Sequence, residues 1–211
     1  MTKARLEAFS DGVFAIIITI MVIELKAPHE ATLHALVPLR HEFLSYLLSF
    51  AFIGIYWSNH HHMLQAVEQV NGRILWANLH LLFWLSLVPF VTSWIGKTEF
   101  GTWPVIAYGV DMLLAGFAYR MLTKVLISHH GEESRLAAAV GRDFKGNVSL
   151  ILYVAAIVLA FVDPVVACGI YALVAIIWVI PDWRIEKVLN DRKPKSASEV
   201  QSPSADDGEP S

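Results

Sequence analysis

The first residues in this chain that could do chemistry lie at its start, in the run Arg5-Leu-Glu-Ala-Phe9-Ser10-Asp11-Gly12 that leads into Ile16, Thr19, Ile20 and Ile23. At about 100° per residue, a helix here places Arg5, Phe9, Gly12, Ile16, Thr19, Ile20 and Ile23 within about 60° of one line, with Asp11 on the other side. Arg5 and Asp11 are separated by about 9 Å along the axis and do not face each other as an i,i+4 pair would. Each must find its partner on another helix. Ionisable groups beside an apolar span are functional candidates. The first reading of Asp11 is an anchor that bonds a Trp, Asn or His of a neighbouring helix, and the second is direct handling of ions or protons. The isoleucines at i, i+4 and i+7 carry two readings as well, ordinary helix packing or the wall of an ion path.

Other polar groups sit in apolar surroundings. Tyr56-Trp57-Ser58-Asn59-His60-His61-His62 ends a second long run, and three consecutive histidines invite a metal. Neighbouring helical positions splay by about 100°, whereas metal sites use i,i+3 or i,i+4 pairs or ligands from several elements. With no Cys, Asp or Glu within four residues, the triplet suits hydrogen bonding or a pH response better than a metal. Asn78, His80, Trp84 and Asp111 read first as interhelical hydrogen-bonding groups. Cys168 is the single cysteine, which excludes an intramolecular disulfide and a zinc finger. No Gly-x-Ser-x-Gly, His-Glu-x-x-His or phosphate-binding loop is present, so enzyme signals are weak. The Thr-Val-Gly-Tyr-Gly filter of backbone carbonyls is also absent.

The elements that must position these residues are membrane helices. The chain has 211 residues, 55% hydrophobic and 17% charged, with a mean hydropathy of +0.51. Soluble domains carry about a quarter charged residues. A net charge of −3 offers no basic field for nucleic acid. Charge-free runs over 12–23, 43–67, 74–96, 100–110 with 112–119, 146–162 and 164–181 give six candidate spans, against the roughly twenty residues that a hydrocarbon core of about 30 Å requires. They predict helices over about 5–25, 41–67, 73–96, 101–128, 146–162 and 164–187. Turn signals separate them, including Asn71-Gly72 and Asp163-Pro164. A cleaved signal peptide is the competing reading of the N-terminus, but Glu7 and Asp11 interrupt it and no small-x-small site follows Ile23.

The cationic residues test that count independently. With both termini cytoplasmic, Lys3, Arg5, Arg73, Arg120, Lys124, Arg135, Arg142, Lys145, Arg184, Lys187, Arg192, Lys193 and Lys195 lie inside, and only Lys26, Arg40 and Lys97 lie outside. An excess of Lys and Arg inside is the rule for multi-pass membrane proteins. Residues 1–189 thus form a six-helix transmembrane unit. Residues 190–211 have almost nothing to bury and read as a disordered cytoplasmic tail, and residues 129–145 can hold a short amphipathic helix.

The run from Arg5 through Phe9-Ser10-Asp11 resembles the Arg-x-x-x-Phe-Ser-Asp signature of the transmembrane protein 175 family of lysosomal-type potassium channels, which has a prokaryotic branch. Tyr56-Trp57-x-x-His60-His61 and the stretch from Asn78-Leu79 to Pro89-Phe90 resemble it too. The signature occurs once, as in prokaryotic members, which carry one six-helix unit per chain and form homotetramers. The resemblance implies an all-α integral membrane protein whose first helix lines a central pore, constricted by rings at Ile16, Ile20 and Ile23 with Thr19 close by. Arg5, Phe9, Ser10, Asp11, Trp57, His60 and Asn78 would then support the pore helix. It implies a potassium-permeable channel of the plasma (inner) membrane, with no cofactor and no metal site. Its partners would be further copies of itself, the lipid bilayer and permeant K⁺, with no nucleic acid. The alternative class is a secondary transporter or proton-coupled carrier, motivated by Asp111, Glu24 and the histidines. Such carriers show paired Gly/Pro interruptions near midplane, and this chain offers only scattered ones such as Pro89. A membrane-bound enzyme built on the histidines is the third class.

Overall fold

Each long apolar run becomes a helix, and the punctuation residues set its ends. The computed structural model describes residues 2–67, 69–130 and 144–179. Among them are six α-helices: α1 (Lys3–Ile23), α2 (Arg40–Gln65), α3 (Gly72–Lys97), α4 (Thr102–His130), α5 (Phe144–Leu159) and α6 (Pro164–Val179). A 3₁₀ turn, Leu33–Leu36, lies between α1 and α2. Asn71 caps α3, its Oδ1 accepting from the Ile74 amide at 3.0 Å. Asp163 does the same for α6, accepting from Val165 and Val166 at 2.8 and 3.3 Å. Pro164 follows at the first helical position, where a missing N–H costs nothing.

Helix ends depart from the sequence expectation by a few residues, for local reasons. Helix α1 stops at Ile23 rather than 25, because the Leu25 amide bonds to the Val22 carbonyl in a tight turn that releases the chain. Helix α5 stops at Leu159 rather than 162, where the amides of Phe161 and Val162 make the same short-range bonds. Between α3 and α4, Glu99 and Phe100 adopt left-handed backbone angles, φ 51° and 62°, which non-glycine residues seldom take. The Phe100 amide reaches back to the Ile95 carbonyl at 3.1 Å and closes the end of α3. Of the 129–145 connection expected to hold a short helix, residues 131–143 lie outside the described residues, as do the last turns of the sixth helix to 187 and the 190–211 tail.

Three helices, α1, α3 and α4, are long and apolar enough to cross a membrane. Helix α2 matches α3 in length, with 26 residues, but its ends carry Arg40-His41-Glu42 and Asn59-His60-His61-His62. As described, α5 and α6 have 16 residues each, about 24 Å of helix against a hydrocarbon core of about 30 Å.

Helix α3 packs against α1, α2 and α4, while α5 packs on α4 and α6, and α6 also meets α2 and α4. Apart from the Phe14 ring, the core is aliphatic where α1 meets α3, with Leu6, Ile17, Leu81 and Leu85 buried. It turns aromatic where α2, α4, α5 and α6 meet, through Phe52, Tyr108, Tyr153 and Tyr171. Two glycines permit the closest approaches. A Cβ on Gly96 would lie 2.8 Å from the Glu42 Cα, so α2 and α3 touch backbone to backbone there. A Cβ on Gly109 would collide with the Tyr171 hydroxyl, whose proton goes to the Val105 carbonyl.

Candidate functional site

Helix α1 divides into two faces. Leu6, Ser10, Phe14, Ile17 and Met21 are buried against the bundle. On the opposite side, Arg5, Phe9, Gly12, Ile16, Thr19, Ile20 and Ile23 are all exposed. Ile16, Ile20 and Ile23 retain 58%, 45% and 74% of their surface, and a Cβ on Gly12 would meet nothing within 4 Å. The 3.6-residue period that grouped these residues in the sequence therefore also groups them in the fold. Such an apolar stripe on a single chain calls for another apolar surface, lipid or protein. The Thr19 hydroxyl is turned onto its own helix, bonded to the Ala15 and Ile16 carbonyls at 2.8 and 2.9 Å.

Behind the stripe, side chains from three helices hold α1 in place. Ser10, Asn78 and His60 are fully or almost fully buried. Asn78 Nδ2 donates to Ser10 Oγ at 3.0 Å, and Ser10 Oγ donates to the Leu6 carbonyl at 2.9 Å. With its amide nitrogen so used, Asn78 presents Oδ1 to His60 Nε2 at 2.7 Å. The imidazole must therefore carry its hydrogen on Nε2. Phe14 packs its ring against His60. A second tie joins α1 to α2, where Trp57 Nε1 donates to Asp11 Oδ1 at 3.0 Å, and His61 stacks on Trp57.

The structure thus brings five of the seven expected support residues together, Ser10, Asn78 and His60 in one chain and Asp11 with Trp57 in a pair. Arg5 and Phe9 join neither and lie on the exposed stripe. Within the described residues no group of three His, Cys, Asp or Glu side chains could hold a metal ion. His60 and His61 point to different partners, and Gln65 takes the His61 ring at 2.9 Å.

Sequence reasoning missed a third tie at the far end of α1. The Glu24 carboxylate accepts from Ser93 Oγ at 2.9 Å and Lys97 Nζ at 2.8 Å, both on α3. The Lys97 hydrogen bond, then that of Ser93, holds this carboxyl below its ordinary pKa. Its only sequence signal was a lone acid directly after the apolar run. Also unforeseen was a buried hydroxyl chain across α2, α3 and α4, with Thr92 Oγ1 2.7 Å from Ser49 Oγ and Ser49 Oγ 3.2 Å from Tyr108 Oη.

Among the described residues, no nucleophile, general base or paired carboxylates converge on an open space around this helix. What the arrangement offers is a rigidly anchored helix with a smooth branched-aliphatic face. Residues 5–89 match the family described as endosomal/lysosomal potassium channel TMEM175. A potassium channel of Chryseobacterium sp. (strain P1-3) is 54% identical over 191 residues, covering 90% of this chain and all of that one. The crystal structure of a lysosomal potassium-selective channel TMEM175 homolog from Chamaesiphon minutus superposes with a TM-score of 0.72 at 27% identity, over 84% of this chain and 96% of that one. The endosomal/lysosomal proton channel TMEM175 of Gallus gallus is 30% identical over 101 residues, 42% of this chain and 20% of the bird protein.

Proposed function

From the premise that this chain belongs to the TMEM175 family, whose members are ion channels and not enzymes, we propose that it is a potassium-permeable channel whose pore is lined by α1. Four copies of the chain surround one axis, and the stripe of Gly12, Ile16, Thr19, Ile20 and Ile23 from each faces it. The observation that carries this reading is the division of α1, with an exposed aliphatic stripe in front and three side-chain ties behind. A helix lining a pore needs both. Among the described residues of one chain the stripe faces outward, so a closed path requires symmetry, with identical stripes meeting at the axis.

Ion passage follows from the chemistry of that stripe. Isoleucine rings close a narrow pore by steric contact and dewetting, and a modest widening lets hydrated cations through. Methyl groups cannot replace an ion's water, so discrimination between K⁺ and Na⁺ is weaker than in a carbonyl filter. Thr19, its hydroxyl proton committed to the helix backbone, presents an oxygen lone pair to a passing cation. Ser10, Asp11, Trp57, His60 and Asn78 keep the helix in register without touching the ion, and Arg5 and Phe9 extend the stripe towards the cytoplasm. The distribution of Lys and Arg supports cytoplasmic termini, and the bacterial relatives support the plasma membrane as location. The chain carries no cofactor in this reading beyond the K⁺ that it conducts.

Purified protein in liposomes tests the reading. We expect K⁺ flux exceeding Na⁺ flux from a tetrameric species; a stable tetramer that passes neither cation under any condition contradicts it.

A further inference from the structure

On the side of the bundle away from α1 lies a carboxyl group that the pore does not use. Asp111, in α4, is only 4% exposed, and neither of its oxygens has a hydrogen-bond partner. The ionisable groups that interact with it are Tyr56 of α2 and Tyr108 of its own helix. Behind these stand Tyr119 of α4, Tyr153 of α5, and Tyr171 and Cys168 of α6. No Lys, Arg or His of α2, α3, α5 or α6 acts on it among the described residues. A carboxylate in such a place has lost its water and gained neither a cation nor an N–H donor in return. The neutral acid escapes most of that cost. This is unlike Asp11, which takes a bond from Trp57, and Glu24, which takes two from α3.

We propose that Asp111 is a proton-binding site, occupied in the folded bundle at neutral pH and emptied only when α2 and α4 shift to admit water. On release the O–H bond of the acid breaks, the proton passes to a water molecule, and a carboxylate remains between Tyr56 and Tyr108. Tyr56 also lines a cleft between α2, α4, α5 and α6, together with Gly116, Tyr119, Ser149, Tyr153 and Trp178. This cleft stops at Tyr56 and does not reach Asp111, so water would have to pass Tyr56. Tyr56 is followed in α2 by Trp57, whose indole N–H holds Asp11, so the proposed shift of α2 would carry that anchor of α1 with it. This last step rests on the pore reading; proton occupancy does not.

Infrared difference spectroscopy of the full chain in liposomes tests occupancy. At neutral pH the wild type minus Asp111→Asn spectrum should contain the C=O stretch of a protonated carboxylic acid, and the band should be lost from wild type as the pH is raised. If Asp111→Asn is not recovered folded, Asp111→Glu replaces it, and the band should shift instead of vanishing. A difference spectrum without this band, or with carboxylate bands in its place, overturns the proposal. K⁺ flux as a function of pH tests the coupling. We expect the wild type to change on the alkaline side and Asp111→Asn to lose that change, whereas identical profiles would overturn the coupling. The two readings fail separately. A wild type with the band but no flux refutes the pore, and one with flux but no band refutes the proton site.

Discussion

The exposed apolar stripes of two helices, α3 and α1, differ in kind. On α3 the stripe runs through Trp76, Phe83, Phe90 and Trp94, aromatic from end to end, with its two tryptophans about 27 Å apart along the axis. That spacing nearly matches the hydrocarbon core, at whose two boundaries tryptophan is enriched. On α1 the stripe consists of Gly12, Ile16, Thr19, Ile20 and Ile23, with no aromatic ring beyond Phe9. Their backs are joined to each other: Asn78, Ser93 and Lys97 of α3 bond to Ser10 and Glu24 of α1, and both helices also bury apolar side chains there. Exposure alone does not distinguish lipid from a pore. Small and branched side chains suit a symmetry axis, and large rings, with tryptophan towards the two boundaries, suit lipid.

Cysteine substitution should separate the stripes most sharply. In a Cys168→Ser background, Cys at Ile20 should be blocked nearly completely by soft metal ions and should crosslink between subunits. Cys at Phe83, on the aromatic stripe of α3, and at Met21, buried on the back of α1, should leave flux unchanged. Equal sensitivity at Ile20 and Phe83 would erase the distinction between the two helices. Breaking the anchors should cost less. Asn78→Leu strands the His60 N–H and removes the donor to Ser10, a loss of about 1–3 kcal/mol that should be visible as a lowered melting temperature of the tetramer. An unchanged melting temperature would show that packing, without the buried bonds, sets the position of α1.

The smallest effect is expected at the end of α1. Lys97→Met removes the charged partner of Glu24, and because both side chains are about half exposed, stability should fall by only a few tenths of a kcal/mol. The pH dependence has a definite sign. The Glu24 carboxyl titrates lower when folded than when unfolded, so its contribution is full above the unfolded value and is lost as the pH falls through the folded one. Thermal melts between neutral and acid pH should show a shallower acid-side decline in Lys97→Met than in wild type. Parallel declines would show that the tie contributes nothing.

Much of the candidate site was legible in the sequence, because a helix of fixed period turns spacing into faces. The stripe from Arg5 to Ile23 and the need of Asp11 for a partner on another helix both follow from 3.6 residues per turn. Which partner each group takes was not legible. Ser10, His60 and Asn78 stood out singly as polar residues in apolar runs, but their chain depends on how α1, α2 and α3 cross, which local spacing does not encode. Glu24 with Lys97 was hidden for the same reason, as were the Ser49, Thr92 and Tyr108 hydroxyls, which look unremarkable along the chain. Helix ends shifted where a short-range turn bond, such as Leu25 to Val22, ended a run that composition alone would have continued.

The central claim, that Ile16 belongs to an ion path and not to a lipid or packing face, is tested most directly by Ile16→Asn in the reconstituted channel, with tetramer stability, K⁺ flux and Na⁺ flux measured on one preparation. Four amides can hydrate an ion where four isoleucines cannot, so the tetramer should stay intact, total flux should rise severalfold, and the preference for K⁺ over Na⁺ should fall. A tetramer destabilised by about 1–3 kcal/mol, the cost of an amide left unsatisfied in an apolar interface, with the K⁺ to Na⁺ flux ratio unchanged would contradict the account and move the pore away from α1.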